Sequence, residues 1–356
     1  MPKLFRCLWT LLPLLTAGCA VHQWPEPNPA TLERVTVRLR YEPDFWVWEH
    51  LYDPLQGTSE ELWPDGGLDA DHPGTTEVYD NTQTEGVMAI LLKVYRAGSD
   101  RSEADCIFLR DLTAEGYDCE VDIELFEGAY EVVVWSHLLE EREAPSFYDP
   151  GTFRVVSLVD ERYRACTDYR DGFFGRTTFA FLLPEEAAAR NAGEERVCEV
   201  TMRRPMGKFE FVTTDLSEFL DRETERRALS TRASVDDYRV VITYPYYYPN
   251  AYNQLSDDIA SGSGYRFETK LTVTGAGEAT MGFDYVFMRN TPDGAVQAQV
   301  AVYDLAGTRV ANSQVVRVPI RRDWHTVFRG AFLSVGAQGG VGVNPDFEGD
   351  HNVTFP

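Results

Sequence analysis

Residue types that carry enzymatic chemistry are present in this sequence, but not at the spacings that enzymes use. Six histidines are scattered along the chain, without a His-Glu-x-x-His pair or another metal-ligand spacing. A Gly-x-Ser-x-Gly nucleophile turn and a glycine-rich phosphate loop are also missing from the sequence. Because 57 acidic residues offer many carboxylate pairs, no pair can be singled out as a glycosidase site. The sequence therefore predicts a protein that is not an enzyme and that has no cofactor and no metal.

One acidic loop offers an alternative to that prediction, a calcium site. Asp65, Asp69 and Asp71 lie in the glycine-containing segment 63–74, where carboxylate and carbonyl oxygens could coordinate Ca²⁺. Their spacing departs from the alternation of an EF-hand loop. A solvated turn is the better interpretation.

Four cysteines of the chain body could form disulfides. Cys106 and Cys119 flank a turn-like stretch at 111–116 and could pair across a hairpin, which leaves Cys166 and Cys198 for a second bridge. Four cysteines allow three connectivities, and free buried thiols stay an alternative. The sequence has no Cys-x-x-Cys, so it does not indicate a zinc ribbon or thioredoxin-type redox chemistry.

Two aromatic clusters could form a binding surface. One is the segment 45–48, and the other is the proline-braced segment 244–252. Rigid aromatic side chains stack on sugars and dominate protein interfaces, although aromatic residues also fill cores. The candidates for an adhesive surface are Trp46, Trp48, Tyr246, Tyr247 and Tyr248.

Charge and composition limit the classes of partner. The 356 residues include 33 basic and 57 acidic ones, which gives a net charge of −24. A nucleic-acid binder needs a basic face to displace counterions, so we expect no nucleic-acid partner. Hydrophobic residues make up 44% of the chain, which is typical of a globular protein.

The elements that must position these residues are strands. Alternating apolar and polar residues, enriched in β-branched and aromatic types, recur between glycine-containing turns, whereas helical patterns occur only at 184–192 and 216–229. Regularly spaced short strands favour Ig-like β-sandwiches over βαβ units. The predicted strands are 35–41, 89–95, 106–109, 120–125, 130–136, 197–202, 208–213, 238–244, 265–273, 280–288, 297–303, 313–319 and 326–333.

The predicted organisation is two β-sandwich domains in tandem. A polar stretch around 184–197 suggests the boundary, so we expect domains at 32–190 and 197–356. Phe209, Phe211 and Val212, on the first strand of the second domain, are expected in its core.

The first residues read as an export signal. A basic start and an apolar run lead to Thr16-Ala17-Gly18-Cys19, so 1–18 is predicted to be a signal peptide and 19–31 a proline-spaced tether. Small residues directly before a cysteine resemble the bacterial lipobox, in which that cysteine is acylated. An ordinary signal peptide, cut at a small-x-small site, is the alternative.

Five pieces of the sequence together resemble one family, the fimbrillin-like lipoproteins of Bacteroidota. They are the lipobox with its short tether, the strand 128–136, the Tyr-Arg-Asp-Gly motif at 169–175, the Arg-Pro and lysine strand at 200–211, and the ending 347–353. The resemblance implies two transthyretin-like sandwiches that build or anchor type V pili. None of these pieces implies catalytic residues.

The resemblance implies a lipid-anchored pilus protein at the outer membrane, either an anchor or an accessory subunit, contributing to assembly or adhesion. Its implied partners are other pilus subunits by β-strand complementation, the membrane through the lipid, and a host protein or glycan. Stalk subunits of that family lose their first strand to a protease that cuts after arginine, which makes Arg34, Arg38 and Arg40 candidate processing positions. A glycan-binding surface lipoprotein for nutrient uptake is the alternative function.

The lipobox yields a direct test. Metabolic labelling with a fatty-acid analogue should mark the wild-type protein, because Cys19 becomes acylated, and should leave the Cys19→Ser variant unlabelled. Cys7→Ser, which alters a cysteine inside the predicted signal peptide, is the control and should keep the label. Label on Cys19→Ser would contradict the prediction.

Overall fold

The computed structural model describes residues 32–53, 58–61, 78–79, 85–112, 116–151, 153–181, 196–227, 232–291, 294–334 and 353–354. Within these ranges the chain is built of strands, with one α-helix and three single 3₁₀ turns, which confirms the predicted all-β class. The 3₁₀ turns are Asp160–Arg162, Asp168–Arg170 and Val235–Asp237. In chain order the elements are β1 (Glu33–Tyr41), β2 (Phe45–Asp53), β3 (Thr58–Glu61), β4 (Val78–Tyr79), β5 (Val87–Arg96), β6 (Ser102–Asp111), β7 (Cys119–Leu125), β8 (Gly128–Leu139), β9 (Tyr148–Asp149), β10 (Val155–Leu158), β11 (Gly172–Phe181), β12 (Val197–Met202), β13 (Met206–Thr213), α1 (Leu216–Arg227), β14 (Tyr238–Asn253), β15 (Asp258–Thr269), β16 (Thr272–Gly275), β17 (Glu278–Phe287), β18 (Ala295–Asp304), β19 (Arg309–Asn312), β20 (Val316–Pro319), β21 (Trp324–Gly330) and β22 (Val353–Thr354).

The first sandwich packs a three-stranded sheet on a four-stranded sheet. The strand orders are β12–β1–β7 and β11–β8–β5–β6. β1 is the middle strand, parallel to β12 and antiparallel to β7. Its alternate residues from Val35 to Tyr41 are buried with Ile90, Val132 and Val200 of the facing and neighbouring strands. The alternation in the sequence thus gives β1 one core face and one solvent face.

The second sandwich packs two larger sheets. One has the order β16–β17–β13–β21–β2–β3, with β4 also paired to β2; the other is centred on β14, with β10, β15 and β18 as its neighbours. As predicted, Phe209, Phe211 and Val212 on β13 are buried. Phe219 of α1 packs on Tyr238 at 4.8 Å between ring centres, so the helix closes one side of this core.

Both sandwiches draw strands from both halves of the chain. β2 and β10, within the predicted domain 32–190, pair with β21 and β14 of the second sandwich. β12, at the start of the predicted domain 197–356, pairs with β1. The chain passes between the sandwiches several times, and two of these crossings are at residues 42–44 and 203–205. The strands of each sandwich therefore do not come from one continuous range of the chain. The domain ranges 32–190 and 197–356 stay a prediction.

The four-stranded sheet of the first sandwich also contacts the second sandwich with its outer face. Trp135 of β8 packs on Tyr148, with ring centres 5.3 Å apart, and both belong to the same buried cluster as Phe287 of β17. Apolar burial therefore continues across the junction. No helix among the described residues is long and apolar enough to cross a membrane.

A buried histidine is part of this junction. The Nε1–H of Trp135 donates to Nδ1 of His137 at 3.2 Å, so the imidazole proton lies on Nε2, which is 2.8 Å from the hydroxyl of Ser146. The Ser146 hydroxyl in turn donates to the carbonyl of Tyr148. Burial lowers the pKa of His137 to about 4, because a charged imidazolium would lose its solvation there.

This histidine predicts a pH dependence of stability. The folded-state pKa of about 4 lies below the ordinary value of 6.5, so the unfolded chain binds the extra proton between these two pH values. The contribution of His137 is complete above pH 6.5 and is lost as the pH falls toward 4, by about 3 kcal/mol. His137→Gln keeps hydrogen-bonding groups without a titration, so urea unfolding over this range should show a flatter pH dependence than the wild type. An unchanged slope would contradict the assignment.

Asp323 provides a control of opposite sign. Burial raises its carboxyl pKa to about 6, so its stabilising contribution is lost as the pH rises from 3.8 to 6. Acidification should therefore lower the free energy of unfolding of Asp323→Asn more steeply than that of the wild type. In His137→Gln the same loss should be less steep than in the wild type.

Candidate functional site

The five aromatic candidates lie in different environments. Trp48 and Tyr248 are buried, so they cannot form the adhesive surface that we predicted for them. Tyr246 is 66% exposed, while Trp46 and Tyr247 are half-buried. The pairing of β14 with β15 is interrupted between residues 244 and 248 by a bulge, and this bulge turns Tyr246 outward.

The candidate processing arginines form a ladder of ion pairs on the solvent face of the first sandwich. Arg38 and Arg40 of β1 reach Glu120 at 2.6 Å and Asp118 at 2.8 Å. Arg34 pairs with Asp122 in the same way. The pairs join β1 to β7 and its preceding turn, so these arginines have a structural role as cross-strand partners. Cleavage at them stays a prediction.

The predicted disulfides are wrong. Cys106, Cys119, Cys166 and Cys198 are all free thiols. Cys106 lies on β6 and Cys119 on β7, which belong to opposite sheets of the first sandwich. Cys198 is buried on β12 of that sandwich, whereas Cys166 contacts the backbone of Phe283 in the second. Burial raises the pKa of each thiol, so these side chains behave as small apolar residues.

Two other predictions fall outside the described residues. The lipidation site Cys19 and the acidic loop with Asp65, Asp69 and Asp71 are not among them. In the part of the chain that is described, no group of three His, Cys, Asp or Glu side chains could hold a metal ion.

A buried charged site lies where the chain crosses between the sandwiches. Arg204 occupies the crossing between β12 and β13, and its Nε donates to the two carboxylate oxygens of Asp171 at 2.8 and 3.0 Å. Its Nη1 donates to the carbonyls of Glu42 and Asp44 at 3.3 and 3.1 Å, and Nη2 donates to that of Pro43. Residues 42–44 form the crossing between β1 and β2. One guanidinium therefore holds both crossings together.

Aromatic rings complete the surroundings of Arg204. The guanidinium carbon lies 3.8 Å from the ring centre of Phe45 and 4.6 Å from that of Phe173, which come from the second and first sandwich respectively. Burial by itself would lower the pKa of Arg204, but the charge of Asp171 outweighs it and raises the pKa. Arg204 is therefore a charged, paired and desolvated side chain.

A second buried ion pair extends the site into the core of the second sandwich. Arg170, in the turn before β11, pairs with Asp284 of β17, and both side chains are fully buried. Tyr244 and Tyr163 donate their hydroxyls to Asp284 at 2.7 and 2.6 Å, and Arg170 donates to the hydroxyl of Tyr248 at 2.7 Å. These bonds explain why Tyr244 and Tyr248 of β14 turn their hydroxyls inward.

A third pair lies beside the second. Lys208 of β13 donates to Oδ1 of Asp168 at 2.8 Å, and the hydroxyl of Tyr285 donates to the same oxygen at 2.6 Å. Burial would raise the pKa of Asp168, but the charge and hydrogen bonds of Lys208 outweigh it and lower the pKa. Asp168 is thus held as a carboxylate.

Two of the three pairs join two motifs that the sequence had marked only as family features, and the third pair, Arg170–Asp284, links the first of these motifs to β17. Residues 168–171 supply Asp168, Arg170 and Asp171, and residues 204–208 supply Arg204 and Lys208. Their charged groups bond to one another, so the site can fix the geometry between the sandwiches. The sequence analysis missed Asp168 and Asp284 as members; the available signal was a charged residue inside an otherwise apolar strand, as at Lys208 and Asp284.

A shallow groove of about 370 Å³ lies on the outer face of the sheet that contains β2, β13, β17 and β21. His325 and Glu210 line it and are 3.2 Å apart, and Arg329 bridges Glu278 at 2.7 Å and Glu49 at 3.5 Å. Burial lowers the pKa of His325, so its imidazole is neutral at pH 7. The groove therefore carries mostly paired charges over a floor of valines.

The Arg204–Asp171 pair predicts a large, non-additive effect of mutation. Asp171→Asn should lower the free energy of unfolding by about 3–5 kcal/mol, because it leaves the guanidinium buried without its counter-charge. The double variant Asp171→Asn with Arg204→Met should recover part of that loss. Denaturant unfolding of the two single variants and the double variant measures the coupling.

Asp122→Asn, which breaks an exposed pair on β7, is the matched control and should leave stability nearly unchanged. A similarly small effect of Asp171→Asn would show that the junction does not depend on this charge pair.

Three of the solved structures similar to this chain are a candidate adhesin and two fimbrial proteins. A candidate adhesin from Bacteroides thetaiotaomicron is 13% identical with a TM-score of 0.42, covering 80% of this chain and 81% of its own. The fimbrial anchor protein Mfa2 from Porphyromonas gingivalis is 9% identical with a TM-score of 0.39, covering 79% and 82%. A fimbrial assembly protein from Parabacteroides distasonis is 8% identical with a TM-score of 0.36, covering 84% and 91%. At these identities and TM-scores the similarity carries no argument about the function of this chain.

No curated protein matches the sequence. One family model does, that of the "Family of unknown function (DUF6562)", which matches residues 68–356. That range contains β4 to β22 and every residue of the three junction ion pairs. Since the match covers most of the chain, the protein belongs to this family of unknown function, DUF6562.

Proposed function

We propose that this protein is a non-enzymatic lipoprotein of the outer membrane, exposed at the cell surface or in the fimbrium, which acts as an anchor or accessory subunit of a pilus. The observation that carries the proposal is the place of β1. This strand begins at Glu33, shortly after the predicted lipid site Cys19, and it is the middle strand of its sheet. A lipid at Cys19 would therefore be joined through a short tether to the core of the first sandwich.

The burial of β1 supports retention of this strand. Val35, Val37, Leu39 and Tyr41 are all buried, and the backbone bonds to β12 on one side and to β7 on the other. Loss of β1 would open an apolar groove between two unpaired strand edges, which an extended segment of another subunit could fill. An anchor must keep β1, because losing this strand would also separate the protein from its lipid. We therefore favour an anchor or accessory subunit that keeps β1 over a stalk subunit that sheds it.

The exposure of the three arginines indicates which of them a protease would reach most easily. The side chain of Arg34 is the most exposed of the three, whereas Arg38 is largely covered by its pairing with Glu120. Cleavage after Arg34 would leave Val35 as the new first residue and keep most of β1, whereas cleavage after Arg40 would remove the strand up to Tyr41.

A glycan-binding lipoprotein for nutrient uptake is the second candidate function. The exposed Tyr246, turned outward by the bulge in β14, favours it, because a rigid aromatic ring can stack on a sugar. Retardation of the protein by a polysaccharide in a native gel, lost in Tyr246→Ala, would support this function over the first. A host protein or glycan could also be the target of an adhesive pilus subunit.

N-terminal sequencing of the protein from cell-surface fractions tests the proposal. We expect β1 to be present on the mature, membrane-retained chain. A mature start at Val35, Leu39 or Tyr41 would contradict retention on the membrane, because Cys19 would be lost, and would indicate a fibre-building subunit. In that case Arg34→Gln should block a cut before Val35, whereas Arg38→Gln should not, which identifies the cleaved bond.

A further inference from the structure

The edge strand β6 has features that the proposed function does not use. It is the outer strand of the sheet β11–β8–β5–β6, ten residues long, and within the described ranges only β5 pairs with it. Its other edge therefore presents backbone N–H and C=O groups that no described strand bonds. Such edges are usually short, bulged, covered or interrupted by proline.

The outward side chains of β6 include two large apolar residues. Ile107 is 77% exposed and Leu109 is 37% exposed, while the alternate residues Cys106 and Phe108 pack on the core of the first sandwich. The 77% exposure of Ile107 shows that no described residue of the chain covers this position. An exposed apolar pair on a long, regular edge strand is a pairing surface.

Acidic residues flank the apolar pair on the same face. Glu103, Asp105 and Asp111 are exposed, and each pairs with a cation on its inner side: Arg96 at 3.5 Å, Lys93 at 3.4 Å, and Arg142. A carboxylate can accept several hydrogen bonds, so each retains capacity on the side of the open edge. Read along the strand, the outward face is acidic, acidic, apolar, apolar, acidic.

We propose that β6 binds an extended segment of another protein as an added antiparallel strand. Cross-strand pairing sets the chemistry of that segment: apolar residues opposite Ile107 and Leu109, and basic residues opposite Glu103, Asp105 and Asp111. The partner is therefore a strand with two apolar residues at alternate positions, flanked by lysine or arginine. This site is independent of lipidation and of whether β1 is retained.

Charge disfavours a second copy of this chain as the occupant. An antiparallel pair of β6 strands centred on Ile107 would place Glu103 opposite Asp111 and Asp105 opposite Leu109. Like charges directly opposite each other destabilise a strand pair. The net charge of −24 on each chain adds to the repulsion and favours a basic partner.

A designed peptide tests the proposal on the full-length chain purified in detergent. The probe is acetyl-Lys-Thr-Val-Thr-Val-Thr-Lys-Thr-Lys-amide, which places its valines opposite the apolar pair and its lysines opposite the three carboxylates. The same peptide with glutamate in place of lysine is its control. By isothermal titration calorimetry we expect the lysine peptide to bind at least tenfold more tightly, and amide hydrogen exchange should slow along β6.

Ile107→Lys should weaken binding of the lysine peptide at least tenfold, because it places a cation opposite the peptide and removes the apolar contact. The matched control is Val273→Lys. Val273 is an exposed apolar residue on β16, an edge strand of the second sandwich, so this variant should bind the peptide like the wild type. Circular dichroism checks that both variants fold.

Three results would overturn the proposal: equal binding of both peptides, binding unaffected by Ile107→Lys, or a dimer of the free protein that Ile107→Lys dissolves. None of them bears on the lipid anchor or on the N-terminus of the mature chain. Failure at β6 is therefore distinguishable from failure of the proposed function.

Discussion

The structure depends on one buried guanidinium. Arg204 donates hydrogen bonds to Asp171 and to three consecutive carbonyls of the crossing 42–44, so it joins two of the places where the chain passes between the sandwiches. A buried charge without this complete set of partners would cost several kcal/mol. The neighbouring pairs Arg170–Asp284 and Lys208–Asp168 continue the same arrangement into the second core. Hydrophobic burial holds each sandwich together and continues across the junction at Trp135, whereas these directional bonds fix the geometry of the joined chain segments.

The sequence predicts the local elements well because strand periodicity is a local property. The pattern at 35–41 corresponds to β1, that at 89–95 to β5, and the helical pattern at 216–229 to α1. For β2 the sequence predicts only an aromatic cluster and no strand, because Glu49, His50 and Asp53 interrupt its apolar residues. Its strand conformation is set by its neighbour β21, which lies far along the chain. Strand partners of this kind cannot be read from a local pattern.

The candidate site shows the same division. The sequence marks 169–175 and 200–211 as family motifs. It does not predict that these two motifs bind each other, because nothing in either one specifies a partner. The aromatic candidates divide by depth: Tyr248 satisfies its hydroxyl with Arg170 inside the core, whereas Tyr246, two residues earlier, is placed outside by a bulge. Sequence spacing alone suggests a Cys106–Cys119 disulfide, but these two cysteines lie on opposite sheets of the first sandwich.

The position of β1 has a mechanical consequence. A lipid at Cys19 would pull on the first residue of a strand that bonds along its length to β7 and β12. Tension directed along such a strand loads its hydrogen bonds together in shear, whereas a hairpin pulled from one end unzips one bond at a time. The force would then pass from β1 through residues 42–44, where Arg204 clamps the chain, into β2 and the second sandwich. The same fold that buries β1 would thus let a surface protein withstand drag on whatever it holds.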